Sequence, residues 1–321
     1  MPFSHHSHSG QFCKHAAGSL EEVVLEAIRQ KFIIFGLTEH VPRYRPQDRY
    51  PEEANVSLEE LEKQFDMFIE EAHRLKAHYA SEITLLVGAE TELITDADCV
   101  GLEALLNRHG DRIEYLVGSI HHVNEIPIDY DQQTFQSALD SLAPEPGGKT
   151  VTRTLAMGTL LNHYLDAQYE LMVRFRPELI GHMDLCRLYN PQLDFGQFPS
   201  AMEKLERNIK YACEYGALIE LNAAAFRKGW NTAYPGRDVL EIASKYGGRY
   251  TISDDSHGPH AVGLNYGKLY NYLRDAGIEE LWYLTSIASF ERADSGGFRR
   301  YVVPTKLHGD WWSHEFWKDK V

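Results

Sequence analysis

Sixteen histidines occur in this chain, and their company matters more than their number. PFSHHSH spans residues 2 to 8, LTEH ends at His40, and GAETE contains Glu90 and Glu92. SIHH ends at His121 and His122, IGHMDL contains His182 and Asp184, and SDDSH contains Asp254, Asp255 and His257. Imidazoles grouped with two or more carboxylates are the usual ligands of catalytic zinc, manganese or iron. Taken alone, the N-terminal cluster could be a tag remnant or a polar loop. The rest of the chain decides its meaning.

Each group closes a short apolar run that reads as a strand: 2–8, 32–40, 83–93, 113–122, 178–185, 217–223 and 249–257. Amphipathic helices separate the runs. In SLEEVVLEAIRQK, Ser19 and Glu22 stand at capping-box spacing ahead of the stripe Leu20, Val23, Val24, Ala27 and Ile28. Residues 57–79 repeat the design with Ser57 and Glu60. Further helices are predicted near 101–108, 152–174, 199–215, 237–246 and 267–275. Strands alternating with helices predict a parallel α/β fold. Seven such units without a Gly-rich dinucleotide loop favour a closed or nearly closed barrel over an open sheet. The segments 41–56, 123–150 and 186–198 read as loops over its active face. No linker or repeat divides the chain, so one domain is expected, with the part from about residue 278 packed against the barrel.

The C-terminal ends of parallel strands share one face. His6, His8, His40, Glu90, His121, His182 and His257 therefore converge if the strands are right. Period-two alternation puts His6 with His8, His182 with Asp184, and Asp255 with His257, turning His5 and Asp254 away. It does not separate Glu90 from Glu92 or His121 from His122. His15, in the loop GQFCKHAAG, could fold over the mouth. A lone histidine is more often a hydrogen-bonded surface or core residue, and His73, His78, His109, His163, His260, His308 and His314 are read that way. For the strand-end set that reading would require repeated coincidence.

The formal charge of -15 disfavours a partner held through phosphate neutralisation along nucleic acid. Four widely spaced cysteines suggest a reducing compartment, and no run reaches the roughly 18 apolar residues of a membrane helix. A cytoplasmic protein without membrane partners is expected. The chain has no GxSxG elbow, P-loop or HExxH helix, and Cys13 reads as packing rather than as a nucleophile.

The ordered motifs HxH at 6–8, CKH at 13–15, LTEH at 37–40, GAETE at 88–92, VGSIHHVNEIPID at 117–129, IGHMDL at 180–185, ELNAAAFRK at 220–228 and SDDSH at 253–257 resemble the PHP (polymerase and histidinol phosphatase) superfamily. Within it they are most similar to the monofunctional histidinol-phosphatases of the fungal kind. The resemblance implies a distorted (β/α)7 barrel holding three divalent ions, with Zn, Mn and Fe all compatible. It places His6, His8, Glu90 and Asp255 on the first ion, the bridging Glu90 with His121 and His182 on the second, and His15, His40 and His257 on the third. Glu39 replaces the family's common Asp, a departure that leaves every ligand position in place. The implied substrate is L-histidinol phosphate, cleaved to L-histidinol and phosphate in histidine biosynthesis.

Clustered divalent ions suit phosphoester hydrolysis. The expected step is direct attack by a metal-bridging hydroxide, with Glu90, Asp255 and His257 at the reacting centre. Arg227 is the first candidate phosphate clamp, Arg187 the second and Arg43 the third, because a guanidinium grips two phosphate oxygens. Glu92, Asp129 or the loop near 41–50 could receive the substrate's amino group and imidazole. From the residues alone the substrate is only a small phosphomonoester. The rival readings are a phosphatase or phosphodiesterase acting on nucleotides, and a non-enzymatic metal-binding protein.

Overall fold

The computed structural model describes residues 2–142, 153–287, 294–295, 298–299 and 301–320. Residues 143–150 of one expected loop, residue 152 at an expected helix start and residue 300 in the tail lie outside that description.

Seven parallel strands form one sheet: β1 (Phe3–Ser4), β2 (Ile34–Leu37), β3 (Thr84–Glu90), β4 (Tyr115–Gly118), β5 (Leu179–Ile180), β6 (Leu218–Asn222) and β7 (Arg249–Ser253). They pair in chain order from first to last. A doubly wound sheet needs a reversal of strand order, and none occurs here. Closure comes from the chain just beyond β1 and β7, where Ser7 pairs with Ser256 and His8 with His257, again parallel. The strands are shorter than the apolar runs suggest, because the polar end of each run leaves the ladder at the mouth.

Helices α1 (Leu20–Arg29), α2 (Leu58–His78), α3 (Asp96–His109), α5 (Arg153–Phe175), α6 (Pro199–Tyr215), α8 (Arg237–Lys245) and α9 (Tyr266–Asp275) correspond to the predicted ones. Ser19 and Glu22 form the capping box of α1, and Ser57 with Glu60 that of α2. The inner faces bury Leu20, Val23, Val24 and Ala27 of α1, and Phe65, Phe68, Ile69, Ala72 and Leu75 of α2. Each large side chain buried this way is worth about 1.5–3 kcal/mol.

Two further helices had no counterpart in the sequence reading. The expected loop after residue 123 contains α4 (Gln132–Ser141), capped by Asp131, whose side chain accepts from the Thr134 N–H at 2.6 Å. Phe135, Ala138 and Leu139 are its buried face. The short α7 (Ala224–Arg227) follows β6 directly.

Beyond α9, β8 (Trp282–Ser286) and β9 (Val302–Lys306) form an antiparallel hairpin. It lies against the N-terminal ends of the barrel strands, where the Tyr301 N–H donates to the carbonyl of Glu114, just before β4. Trp311, Phe316 and Trp317 are buried, with Phe316 edge-on to Phe32 and Trp317 stacked on Tyr266. Among the described residues no helix is long and apolar enough to cross a membrane.

Candidate metal centre

Glu90, the last residue of β3, is buried at the centre of the mouth with imidazoles on both of its oxygens. Oε1 lies 3.2 Å from His6 Nε2, 3.2 Å from His121 Nε2 and 3.0 Å from His182 Nε2. Oε2 lies 2.9 Å from His40 Nδ1 and 3.3 Å from His8 Nε2. Asp255 Oδ1 adds a second carboxylate, 3.6 Å from His6 Nε2 and 3.5 Å from His8 Nε2. Asp255 sits at φ 46°, a left-handed conformation that costs a non-glycine residue about 1–2 kcal/mol. That turn sends Asp254 the other way, onto the Ser4 hydroxyl and the Gly263 N–H.

His15, His40 and His257 meet at one side of this cluster, with ring centroids 5.4 Å apart for His15 and His40 and 5.1 Å apart for His15 and His257. All nine side chains expected as ligands therefore lie in one connected group. The expected set of His6, His8 and Asp255 is gathered, and in addition His6 shares the Oε1 side of Glu90 with His121 and His182 while His8 and His40 share the Oε2 side.

Carboxylates outside the group hold the rings in place. Glu220 on β6 accepts from His6 Nδ1 at 2.8 Å, and its other oxygen accepts from the His182 N–H at 2.8 Å. Glu92 accepts from Nδ1 of both His121 and His122 at 3.0 Å. Glu39 accepts from the N–H and hydroxyl of Ser9 and lies 3.5 Å from His8 Nδ1, so the family departure at residue 39 does reach a ligand ring. Such partners fix which ring nitrogen is left for a cation. The sequence reading assigned no role to Glu220, although it lies in the quoted ELNAAAFRK. The available signal was a carboxylate inside an apolar strand, since buried charges need partners. Glu92 is consumed by two histidines and is not free for substrate.

Burial works against charge here, yet His6 and its neighbours hold Glu90, Glu220 and Asp255 below the usual carboxylate range. Against the same burial, the carboxylates of Asp255, Glu39 and Glu90 within 3.3–3.5 Å of its ring raise His8 to about 10. Burial and the charge on His8 push His40 and His257 well down, and His15 to about 4. The pocket thus demands positive charge, which protons meet when cations do not. Buried His8 Nδ1 and Nε2, His6 Nε2, His40 Nε2 and Glu90 Oε2 have no hydrogen-bond partner among the described residues. Unsatisfied buried donor atoms of this kind fit a divalent-ion centre.

The cluster floors a cleft of about 580 Å³. Glu52, Asp129, Asp131, Tyr50 and Tyr130 line part of it, and Arg227, Lys228 and His260 line another part, so His260 is not a remote surface histidine. Buried Tyr234 Oη and Asp129 Oδ1 lack hydrogen-bond partners among the described residues. Arg227 donates to the backbone carbonyl of Asp255 at 2.9 Å and to that of Asp254 at 3.4 Å. Arg187 does not line the cleft: Asp184 and Asp238 bind its guanidinium at 2.6–2.9 Å. This corrects the expectation for Arg187, and it also explains Asp184, whose carboxylate serves that ion pair rather than the cluster. Arg43 is buried 3.6 Å from Glu92 and over the Tyr50 ring, one layer behind the cleft, which corrects its assignment as a direct phosphate contact.

Comparison with known proteins gives a consistent picture. The PHP domain pattern matches residues 4–224. A Schizosaccharomyces pombe protein named "Probable histidinol-phosphatase" is 45% identical over 299 residues, covering 92% of each chain. The histidinol-phosphatase of Saccharomyces cerevisiae is 30% identical over 322 residues, covering 90% of this chain and 93% of that one. Among solved structures, the histidinol phosphate phosphatase of Lactococcus lactis, complexed with zinc, L-histidinol and phosphate, superposes with a TM-score of 0.63 at 19% identity. That match covers 88% of this chain and 95% of the other.

Proposed function

The chain belongs to the PHP domain family, and from that membership we propose that it is a metal-dependent phosphomonoesterase hydrolysing L-histidinol phosphate to L-histidinol and phosphate. The observation that carries the proposal is the gathering of eight further donor side chains with Glu90 on the floor of a cleft that Arg227 also lines. The 45% and 30% identities to histidinol-phosphatases support the choice of substrate. The cleft's mixed character supports it as well, since carboxylates suit an ammonium or imidazole while Arg227 and Lys228 suit a phosphate.

His6, His8, His15, His40, Glu90, His121, His182, Asp255 and His257 would hold three divalent ions, drawn from zinc, manganese and iron. Bound there, such ions supply neutralisation of the phosphate dianion and an activated water nucleophile. The chain's own part is positional. Glu90 presents both oxygens to the centre, Glu220 and Glu92 orient rings from behind, and Asp255 stands where a proton can be accepted. Arg227, anchored to two backbone carbonyls, keeps N–H donors for a phosphate oxygen. We assign this activity to a single PHP-type domain spanning the chain, in the cytoplasm, where four free cysteines persist. Its partner is a small phosphate ester rather than nucleic acid.

The test is phosphate release from histidinol phosphate, a nucleoside monophosphate and para-nitrophenyl phosphate, with each metal and with chelator. Chelator-sensitive preference for histidinol phosphate supports the proposal. Preference for nucleotides discards the substrate, and no release with any metal discards the activity. Arg227→Ala is expected to lower kcat/KM about 10–100-fold, the worth of one hydrogen bond to a charged group. Unchanged kinetics would remove Arg227 from the clamp role.

A further inference from the structure

The hydroxyl of Tyr234 has no place in the metal cluster, yet it lies on the wall of the same cleft. The residue is 2% exposed, and its Oη has no hydrogen-bond partner among the described residues. A buried hydroxyl in that state has given up water and received nothing from the fold, so its position calls for a partner from outside the chain.

The backbone around Tyr234 is clamped at three successive residues. The Tyr234 N–H donates to the Asn222 carbonyl at 3.1 Å, and the Tyr234 carbonyl accepts from the Asn222 N–H at 2.7 Å. The Pro235 carbonyl accepts from the Tyr272 hydroxyl at 2.9 Å, and the Gly236 N–H donates to Asp184 at 2.8 Å. The ring meets Trp230 edge-on with centroids 4.8 Å apart, and the Trp230 indole N–H donates to the Leu188 carbonyl at 3.1 Å. None of these bonds uses Oη, so deleting the hydroxyl breaks no hydrogen bond of the fold.

The same clamp sets the hydroxyl beside the reacting centre. Asn222 ends β6, and its side-chain amide reaches Asp255 Oδ2 at 3.3 Å. The Tyr234 ring also lies edge-on to His182, with centroids 6.4 Å apart. Arg227 stands earlier on the same segment, with part of its guanidinium spent on the carbonyls of Asp254 and Asp255. A phosphate drawn to the His182 and Asp255 end of the cluster meets both donors, whereas Glu52, Asp129 and Asp131 suit the cationic part of a substrate. Burial, with Asp184 and Asp255 nearby, pushes the Tyr234 hydroxyl well above its ordinary range, so it keeps the proton it would donate.

We infer that Tyr234 is a substrate-binding residue whose hydroxyl donates a hydrogen bond to a non-bridging oxygen of the phosphate group, a neutral donor beside the Arg227 guanidinium. This rests on reading the cleft as a phosphomonoesterase site. A donor held in place before the substrate arrives costs no reorganisation, and a hydrogen bond to an anionic oxygen is about twice as strong as one between neutral groups. Because it touches the phosphate and not the organic part, the hydroxyl acts on every phosphomonoester alike.

The experiment is Tyr234→Phe in the full, metal-loaded chain, read by calorimetric titration with inorganic phosphate and by kinetics on histidinol phosphate and para-nitrophenyl phosphate. Phosphate is expected to bind about tenfold more weakly than to the wild type, and kcat/KM to fall about 10–100-fold by similar factors on both esters, with metal content unchanged. A loss confined to histidinol phosphate, with phosphate binding intact, places the hydroxyl on the organic part of the substrate and overturns the inference. Phosphate affinity and kinetics equal to those of the wild type overturn it too, leaving the hydroxyl to solvent. Loss of bound metal from the variant, seen by elemental analysis, overturns it in favour of a structural role. A wild type that binds phosphate but hydrolyses neither ester overturns the phosphomonoesterase reading instead, and the titration still decides the hydroxyl's role.

Discussion

His5 and His6 are neighbours with the same side chain, and they belong to regions that ask opposite things of an imidazole. Under the tail hairpin, His5 Nε2 accepts the Leu284 N–H at 3.0 Å, while its ring stacks on Phe3 and meets the edge of Tyr115. Burial there pushes its pKa down to about 3, so His5 is a neutral acceptor. At the mouth, His6 is equally buried, but Glu90, Asp255 and Glu220 surround it, and against the burial they raise it well above its ordinary value. Burial alone silences a histidine. Burial among carboxylates turns it into a receptor for positive charge, proton or metal.

The comparison breaks most sharply at Glu90. Glu90→Gln removes a charge facing five imidazoles, and kcat is expected to fall on the order of 10³-fold, equivalent to about 4 kcal/mol of lost transition-state stabilisation. Bound metal, read by elemental analysis, should fall with it. Full metal content and activity in this variant would mean that the mouth is no receptor at all.

Glu220→Gln is a gentler probe, since the amide keeps one acceptor for the His6 ring or the His182 N–H. Metal affinity should weaken about 10–100-fold, with most activity restored at saturating metal. If restoration fails, Glu220 does more than orient rings.

On the other side, His5→Phe deletes the acceptor for a buried N–H. A loss of about 1–3 kcal/mol is expected in urea unfolding, with metal content unchanged. Loss of metal in this variant would show that the two regions are not independent.

The smallest effect is a slope, and its sign separates the regions. Unfolded His5 binds a proton below about pH 6.5, whereas folded His5 does not until about 3. The unfolded state therefore holds more protons in that window, and stability falls as pH drops, by up to about 1.4 kcal/mol per unit from this residue. His5→Phe should flatten the slope. In the metal-free chain His8, raised to about 10, has the opposite sign: its contribution is complete below about pH 6.5 and is lost as pH rises through about 10. A metal-free wild type whose stability does not fall across that alkaline window would contradict the charge assigned to the mouth.

The sequence made the barrel legible because its units are local. Ser19 with Glu22 and Ser57 with Glu60 mark helix starts, and each apolar run marks a strand whatever its partners. Helix α4 escaped because its cap, Asp131, sits in a polar stretch and its apolar face is three residues wide. The ligand positions were legible for a different reason: parallel strands share one direction, so a histidine at a strand end has only one place to go. Arg187 was misread because an arginine near a strand end looks the same whether a carboxylate or a phosphate awaits it. Asp238, 51 residues away, supplies half of the answer.

The residue types and their order by themselves determined a seven-unit parallel fold with histidines and carboxylates gathered at one mouth. Only the tertiary structure decided which side chains stand behind that gathering. Glu220, Glu92 and Glu39 each reach a ring from a different strand or from the chain just beyond one. Spacing along the chain carries the direction of a side chain within its own element. Distances of about 3 Å between elements follow from how the barrel closes, and no single element encodes them.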